Sequence, residues 1–482
     1  EPEDIDSIFS PPLKKNFELV ERIVRKTTQF TQNHKIQTLT KSSAEDLYNG
    51  SDMLGKFTFQ AQIDMATMFP ITPNTSLLKY LEDKSKKQDP HSEFCFTLRT
   101  CLSEESGYAW LTGGAVKGKR CLMAQGSQSM AQLFEHMNIN PGLHLPVLML
   151  ELTRAIAPGT SIKPDHTTTL RTADTGEIIL FGRGIQDNYE KAILLLKLME
   201  SEGIWVPGRL VIKGFVETHT LSTGRQVEMQ FLSDEIVQKF LGHPINPFVF
   251  SESEVRSVGI LDFDARYGEQ RQAIDQVLIN AGKKFDEVAI ELSKITGHQT
   301  IKKVCRFPEN GPIDLAIVSL NDPDLNTAEL VAEQINQKNI RCGVISVNLY
   351  RPFPAAELVE ALKNVKAIAI LDYSNSSGRS GGAQFSAEVK SALYSREKSA
   401  EIISVQVGLG GRAVTIPYLL LIFRVLQDIS ILKENSKGQQ WLLENAQDKV
   451  FSLGNRGNPL PQTDADFDIP ITQLGIYNKR AD

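Results

Sequence analysis

The sequence predicts an α/β protein built from two doubly wound domains. Short apolar runs alternate with helical stretches and Gly-rich turns from about residue 51 to 245, and a β-α-β-α-β pattern recurs over 314–371. Strand–helix alternation of this kind implies parallel sheets covered on both faces. The 482 residues suggest about three domains by length alone, and 41% hydrophobic with 23% charged residues describes an ordinary globular chain.

Residues 1–50 are polar and read as a peripheral arm, with helical spacing at 17–24. In the first domain, 51–250, residues 94–98, 121–124, 145–150, 178–180 and 209–212 read as strands, and 127–136 and 188–200 as helices. A charge-rich helical pattern over 262–300, ending at Gly297, reads as a connector within 251–300. The second domain, 301–432, is predicted from strands at 314–320, 342–347 and 367–371 with helices at 327–337 and 355–362. A Gly/Ser loop at 374–384 follows its last strand, and 433–482 reads as a polar tail.

Several classes of function are excluded. Lys+Arg 52 against Asp+Glu 58 gives a net charge of −6, unlike a charge-driven nucleic-acid binder. No apolar run reaches the ~20 residues of a membrane helix, and 143–150 and 416–423 read as buried core. The 5 cysteines show neither C-x-x-C pairs nor metal-ligand spacing, which predicts free thiols, a reducing compartment and, by default, the cytoplasm. There is no G-x-G-x-x-G after a strand, no G-x-x-x-x-G-K-S/T, no H-E-x-x-H and no G-x-S-x-G. Gly408-Leu409-Gly410-Gly411 lacks the third glycine of a dinucleotide loop and reads as a turn.

Three segments could carry chemistry. In Pro70-Ile71-Thr72-Pro73-Asn74-Thr75 two prolines flank a threonine, and Thr75 or Ser76 could cap the helix that follows. The segment is either a rigid turn or a hydroxyl presented at the carboxyl end of a parallel strand, where open α/β sheets bind ligands. In Ser103-Glu104-Glu105-Ser106-Gly107 the carboxylates are either solvated or, at a strand–helix junction, held dry enough to exchange a proton near neutral pH. Arg154 ends an apolar strand, where it either pairs with Asp165 or Asp174 or recognises a ligand carboxylate. Asp165-His166 could likewise be a hydrogen-bonded turn.

In order, these segments resemble the alpha-type part of the 2-oxoacid:ferredoxin oxidoreductases. Pro70–Thr75 is similar to that family's P-I-T-P-S-S motif, 103–107 to its S-E-x-x-A/G stretch, and 125–129 to its T-S-S-Q-G turn, with Gly126 for a Ser and Ser129 for a Gly. Arg154-Ala155, Ser161-Ile162, Asp165-His166 and Asp174-Thr175-Gly176 match a further run, Gly214-Phe215 through His219-Thr220 another, and 349–354 its L-Y-R-P-F block. The resemblance covers roughly 55–425. Thr168 stands where the family has Asp, Ala173 where it has Arg, and 55–63 departs from its G-N-x-A start.

The resemblance implies a thiamine-diphosphate-binding, pyrimidine-type domain followed by a transketolase C-terminal-like domain. It implies that Glu104 contacts N1′ of the aminopyrimidine, that Thr72 and Arg154 bind the 2-oxoacid and its carboxylate, and that Ser127 and Gln128 lie at the cofactor. A dry site for Glu104 agrees with Leu102, Tyr108 and Trp110 nearby. The chain has no G-D-G…N motif for diphosphate and Mg²⁺ and no cluster-binding cysteines. The resemblance therefore implies a hetero-oligomer in which a beta-type subunit supplies Mg²⁺ and 4Fe–4S clusters and passes electrons to ferredoxin or a similar acceptor, with CoA taking the acyl group. The alternative is a catalytically silent subunit that keeps the fold for structure.

Overall fold

The computed structural model describes residues 48–251 and 266–430, apart from 90, 92–93, 158–160, 220, 223–229 and 395–399, together with 39–41 and 450–453. The arm helix expected at 17–24 lies outside the described residues. The described residues form two compact units, one lying within 39–303 together with 349–353, the other within 304–348 and 354–453.

The first unit is a seven-stranded sheet. Its strands are β1 (Met65–Met68), β2 (Thr97–Thr100), β3 (Cys121–Gly126), β4 (Val147–Leu152), β5 (Ile178–Phe181) and β6 (Gly208–Ile212), with Leu349–Arg351 added antiparallel beside β5. From that edge the order is Leu349–Arg351, β5, β6, β4, β3, β1, β2, and the labelled strands are all parallel. Every residue of β3 and β4 is buried, as a sheet covered on both faces demands. Alternate residues serve opposite faces. Leu122, Ala124, Leu148 and Leu150 join one core with the helix Ile185–Met199, whereas Cys121, Met123, Val147 and Met149 join another with Tyr108, Leu111, Met130 and Leu133.

The chain runs from β1 out to β2, then returns past β1 to β3. The direction of winding therefore reverses between β1 and β3, which places a switch-point crevice at their carboxyl ends. The 262–300 pattern is a 30-residue helix, Tyr267–Thr296, stopped by Gly297 in the left-handed region at φ 69°. Its Ala281, Phe285, Val288, Ala289 and Leu292 are buried in the first unit's core, so it is counted with that unit.

The second unit is a six-stranded sheet of β7 (Val304–Phe307), β8 (Leu315–Leu320), β9 (Cys342–Val347), β10 (Ala367–Asp372), β11 (Glu401–Gln406) and β12 (Val450–Ser452). The order is β7-β9-β8-β10-β11-β12, with only the β7–β9 pair antiparallel. The apolar run at 416–423 lies in the helix Ile416–Ser430, whose Leu419, Ile422, Phe423 and Leu426 are in the core. β12 is a strand inside what the composition read as a tail. No helix among the described residues is long and apolar enough to cross a membrane.

Candidate active site

Four neighbouring strands, in the order β2-β1-β3-β4, deliver the expected residues to one end of the first sheet. Glu104 follows β2, Thr72 follows β1, Ser127–Ser129 form a single 3-10 turn directly after β3, and Arg154 follows β4.

Glu104 opens the helix Glu104–Val116, with Ser103 as N-cap accepting from the Ser106 backbone N–H at 3.2 Å. A carboxylate in this first turn is favoured by the unpaired amide dipoles. The two glutamates divide, Glu105 exposed and Glu104 buried. Gly107 allows this, because a Cβ there would lie 2.9 Å from Thr67 Oγ1 and 3.0 Å from Cys101 Sγ, so the helix start sits directly on the strand layer. Leu102 is 96% exposed, which corrects the expectation that it dries the carboxylate. Tyr108 is fully buried and Trp110 half-buried, while the polar contact comes from Ser129, whose Oγ donates to Glu104 Oε1 at 2.6 Å.

The other end of the same turn holds Arg154. Ser127 Oγ donates to the Arg154 carbonyl at 2.7 Å and accepts from the Arg154 N–H at 2.9 Å, so Ser127 fixes the arginine backbone. Arg154 Nη1 then donates to the Thr72 carbonyl at 2.7 Å. Neither of the anticipated salt bridges forms. Asp174 is taken by Arg351, through Nε at 3.0 Å and Nη2 at 2.6 Å, and Asp165 accepts from the Thr167 N–H at 3.0 Å in a local turn. Among the described residues Arg154 meets no carboxylate, its Nε has no partner, and burial pushes the guanidinium below its ordinary value. A buried cation without a counter-charge is costly to keep.

Gln128 lies against both. A Cβ at Gly126 would come within 2.6 Å of Gln128 Oε1 and 3.2 Å of Arg154 Cδ, so glycine at the end of β3 makes room for this pair. Gln128 Oε1 is buried and unpartnered. Asn74, not Thr75 or Ser76, occupies the cap position of the helix Thr75–Ser85 and makes no side-chain cap bond; instead its Nδ2 reaches the Ala124 and Phe69 carbonyls. Ser76 Oγ meets Ser51 Oγ at 2.9 Å. His166 packs edge-on to Phe181 at 5.1 Å as a core residue, and His219 stacks on Phe215 at 4.8 Å.

Sequence reasoning missed Ser129, since only the fold brings it to Glu104, and it missed the Asp174–Arg351 pair, whose partners are 177 residues apart. In the second unit a groove lined by Arg306, Asp314, Arg341 and Lys366 opens at the amino ends of its strands. Its cations are already engaged, Arg341 and Lys366 by Asp314 and Arg306 by backbone carbonyls.

A buried carboxylate and an arginine without a carboxylate partner among the described residues thus meet at the switch point of a doubly wound domain that is followed by a second α/β domain. Family profiles give the first of these domains its class. Residues 57–275 match the thiamine-diphosphate-binding domain of pyruvate flavodoxin/ferredoxin oxidoreductase, and 314–419 match core domain II of pyruvate:ferredoxin oxidoreductase. Pyruvate synthase subunit PorA of Thermotoga maritima is 27% identical over 76% of this chain and 90% of its own length. Ketoisovalerate oxidoreductase subunit VorA of Pyrococcus abyssi is 28% identical over 74% of this chain and 87% of its own. In fold, 79% of the chain superposes on 65% of a chain of 2-oxoglutarate:ferredoxin oxidoreductase from Magnetococcus marinus, with TM-score 0.56 and 13% identity. The chain belongs to the 2-oxoacid:ferredoxin oxidoreductase family, as an alpha-type member.

Proposed function

We propose that this chain is the catalytic alpha-type subunit of a thiamine-diphosphate-dependent oxidoreductase that converts a 2-oxoacid such as pyruvate to acyl-CoA and CO₂, or runs the reverse. The observation that carries the reading is Arg154, a buried guanidinium held on the Thr72 carbonyl with no carboxylate partner among the described residues, joined through one turn to a buried glutamate. The chemistry of these residues fits the cofactor. Glu104 keeps Oε2 for a ring nitrogen while Ser129 holds Oε1, and Gln128 brings an unpartnered oxygen to the same strand end. When bound, thiamine diphosphate supplies the nucleophilic carbon and electron sink that decarboxylation of a 2-oxoacid needs.

The remaining work falls to the protein. Glu104 holds and returns a proton at the aminopyrimidine, Arg154 takes the substrate carboxylate with its free guanidinium edge, and the Thr72 hydroxyl orients the oxoacid. Ser127 acts through Arg154, because its hydroxyl is tied to that backbone. Mg²⁺, the diphosphate site and 4Fe–4S clusters belong, on this reading, to a beta-type partner, with ferredoxin or a similar protein as acceptor. The silent-subunit reading is favoured by Thr168 and Ala173, both buried where the family motif carries charge. Glu104→Gln separates the two: the catalytic reading expects an assembled complex without turnover, and an active complex would overturn it.

A further inference from the structure

In the reading above the Ser129 hydroxyl does no more than meet Glu104; it is fully buried, and its 2.6 Å bond lies within the range of hydroxyl–carboxylate contacts. Resting on that reading, we infer that Ser129 is the positioning residue for Glu104: its hydroxyl anchors Oε1 so that Oε2 is presented to the cofactor's aminopyrimidine ring in one orientation.

The geometry leaves little else for this hydroxyl to do. An ionised carboxylate only accepts, so the bond runs from Ser129 Oγ to Glu104 Oε1. Ser129 closes the turn that Ser127 opens, and Ser127 is bound to the Arg154 backbone at both its N–H and its carbonyl. The turn is therefore fixed at one end before it meets Glu104 at the other. Glutamate has three rotatable bonds, and a carboxylate anchored at one oxygen loses most of the swivel that would misdirect the other. The T-S-S-Q-G turn that 125–129 resembles has glycine at this position, so the hydroxyl distinguishes this chain from that pattern.

The test compares Ser129→Ala, Ser129→Thr and Glu104→Gln in the assembled complex, reading thiamine diphosphate affinity by calorimetry alongside steady-state kinetics. Ser129→Ala should weaken cofactor binding and lower kcat, each about tenfold or more, with KM for the oxoacid unchanged. Ser129→Thr, which keeps the donor, should restore both, and adding Ser129→Ala to Glu104→Gln should weaken cofactor binding no further. Wild-type affinity and kcat in Ser129→Ala, or equal losses in Ala and Thr variants, overturn the inference while leaving Glu104 as proposed. Full activity and affinity in Glu104→Gln overturn the catalytic reading and this inference with it.

Discussion

Arg154 is the residue at which a structural and a functional role predict the most different outcomes. An arginine kept for stability would be paired, and removing it would unfold the protein; this one lacks a counter-charge among the described residues. Arg154→Met should therefore leave the melting temperature unchanged or raise it, because a buried unpaired charge is replaced by an apolar side chain of similar length. The same variant should raise KM for the 2-oxoacid by about 10–100-fold, the worth of hydrogen bonds to a charged group. Lower thermal stability with normal KM would mark Arg154 as structural. Arg209 predicts the opposite pattern. It is fully buried between Glu151 at 3.2 Å and Glu177 at 2.7 Å, and burial pushes both carboxyls up while the guanidinium holds them back. Arg209→Leu should cost about 3–5 kcal/mol in denaturant unfolding, since two carboxylates are left without their cation; retained stability would show that they become neutral in the core. Arg154 follows the strand that ends at Leu152 and Arg209 sits at the start of the strand Gly208–Ile212, and neither neighbourhood in sequence names a partner. The difference lies in partners on other strands.

Among the elements, the strands were legible wherever apolar residues ran together, and their ends were not. The runs at 121–124 and 145–150 predict strands that stop before Gln125 and Glu151, whereas β3 and β4 continue to Gly126 and Leu152. Polar residues persist in the sheet because their partners lie across it: Glu151 accepts from Thr169 at 2.5 Å and pairs with Arg209. The helix read at 127–136 is likewise a turn followed by a helix, Met130–Gly142, and that turn is what links Glu104 to Arg154. Just past the end of the long helix, His298 sits between two acceptors, Glu190 Oε1 at 2.5 Å and Gln230 Oε1 at 2.7 Å. Burial alone pushes this imidazole down, but the Glu190 carboxylate more than offsets it and the net shift is upward. A group raised on folding contributes stability that is complete below its unfolded value of about 6.5 and is lost as pH rises through the folded value. His298→Gln should flatten that part of the stability–pH curve, measured by urea unfolding from pH 5.5 to 8.5. An unchanged slope would show that His298 is neutral in the folded protein.

At the scale of the whole molecule, the doubly wound class of both units follows from strand–helix alternation, and the sheet orders give it its particular form. The switch point between β1 and β3 explains why motifs scattered from 70 to 154 converge, which spacing alone could not show. Arg351 reaches Asp174 from far along the chain because the strand Leu349–Arg351 returns to the first unit. The strand Val450–Ser452 was hidden by the polar composition around it. On the function proposed, this fold holds thiamine diphosphate for catalysis with a partner. Isolation of the native complex without oxygen, with its subunits identified by mass and its thiamine diphosphate and iron quantified, tests that most directly. Near-stoichiometric thiamine diphosphate and a co-purifying subunit carrying G-D-G and C-x-x-C motifs with iron bound are expected. An intact complex without thiamine diphosphate would contradict that function and assign this chain a structural role.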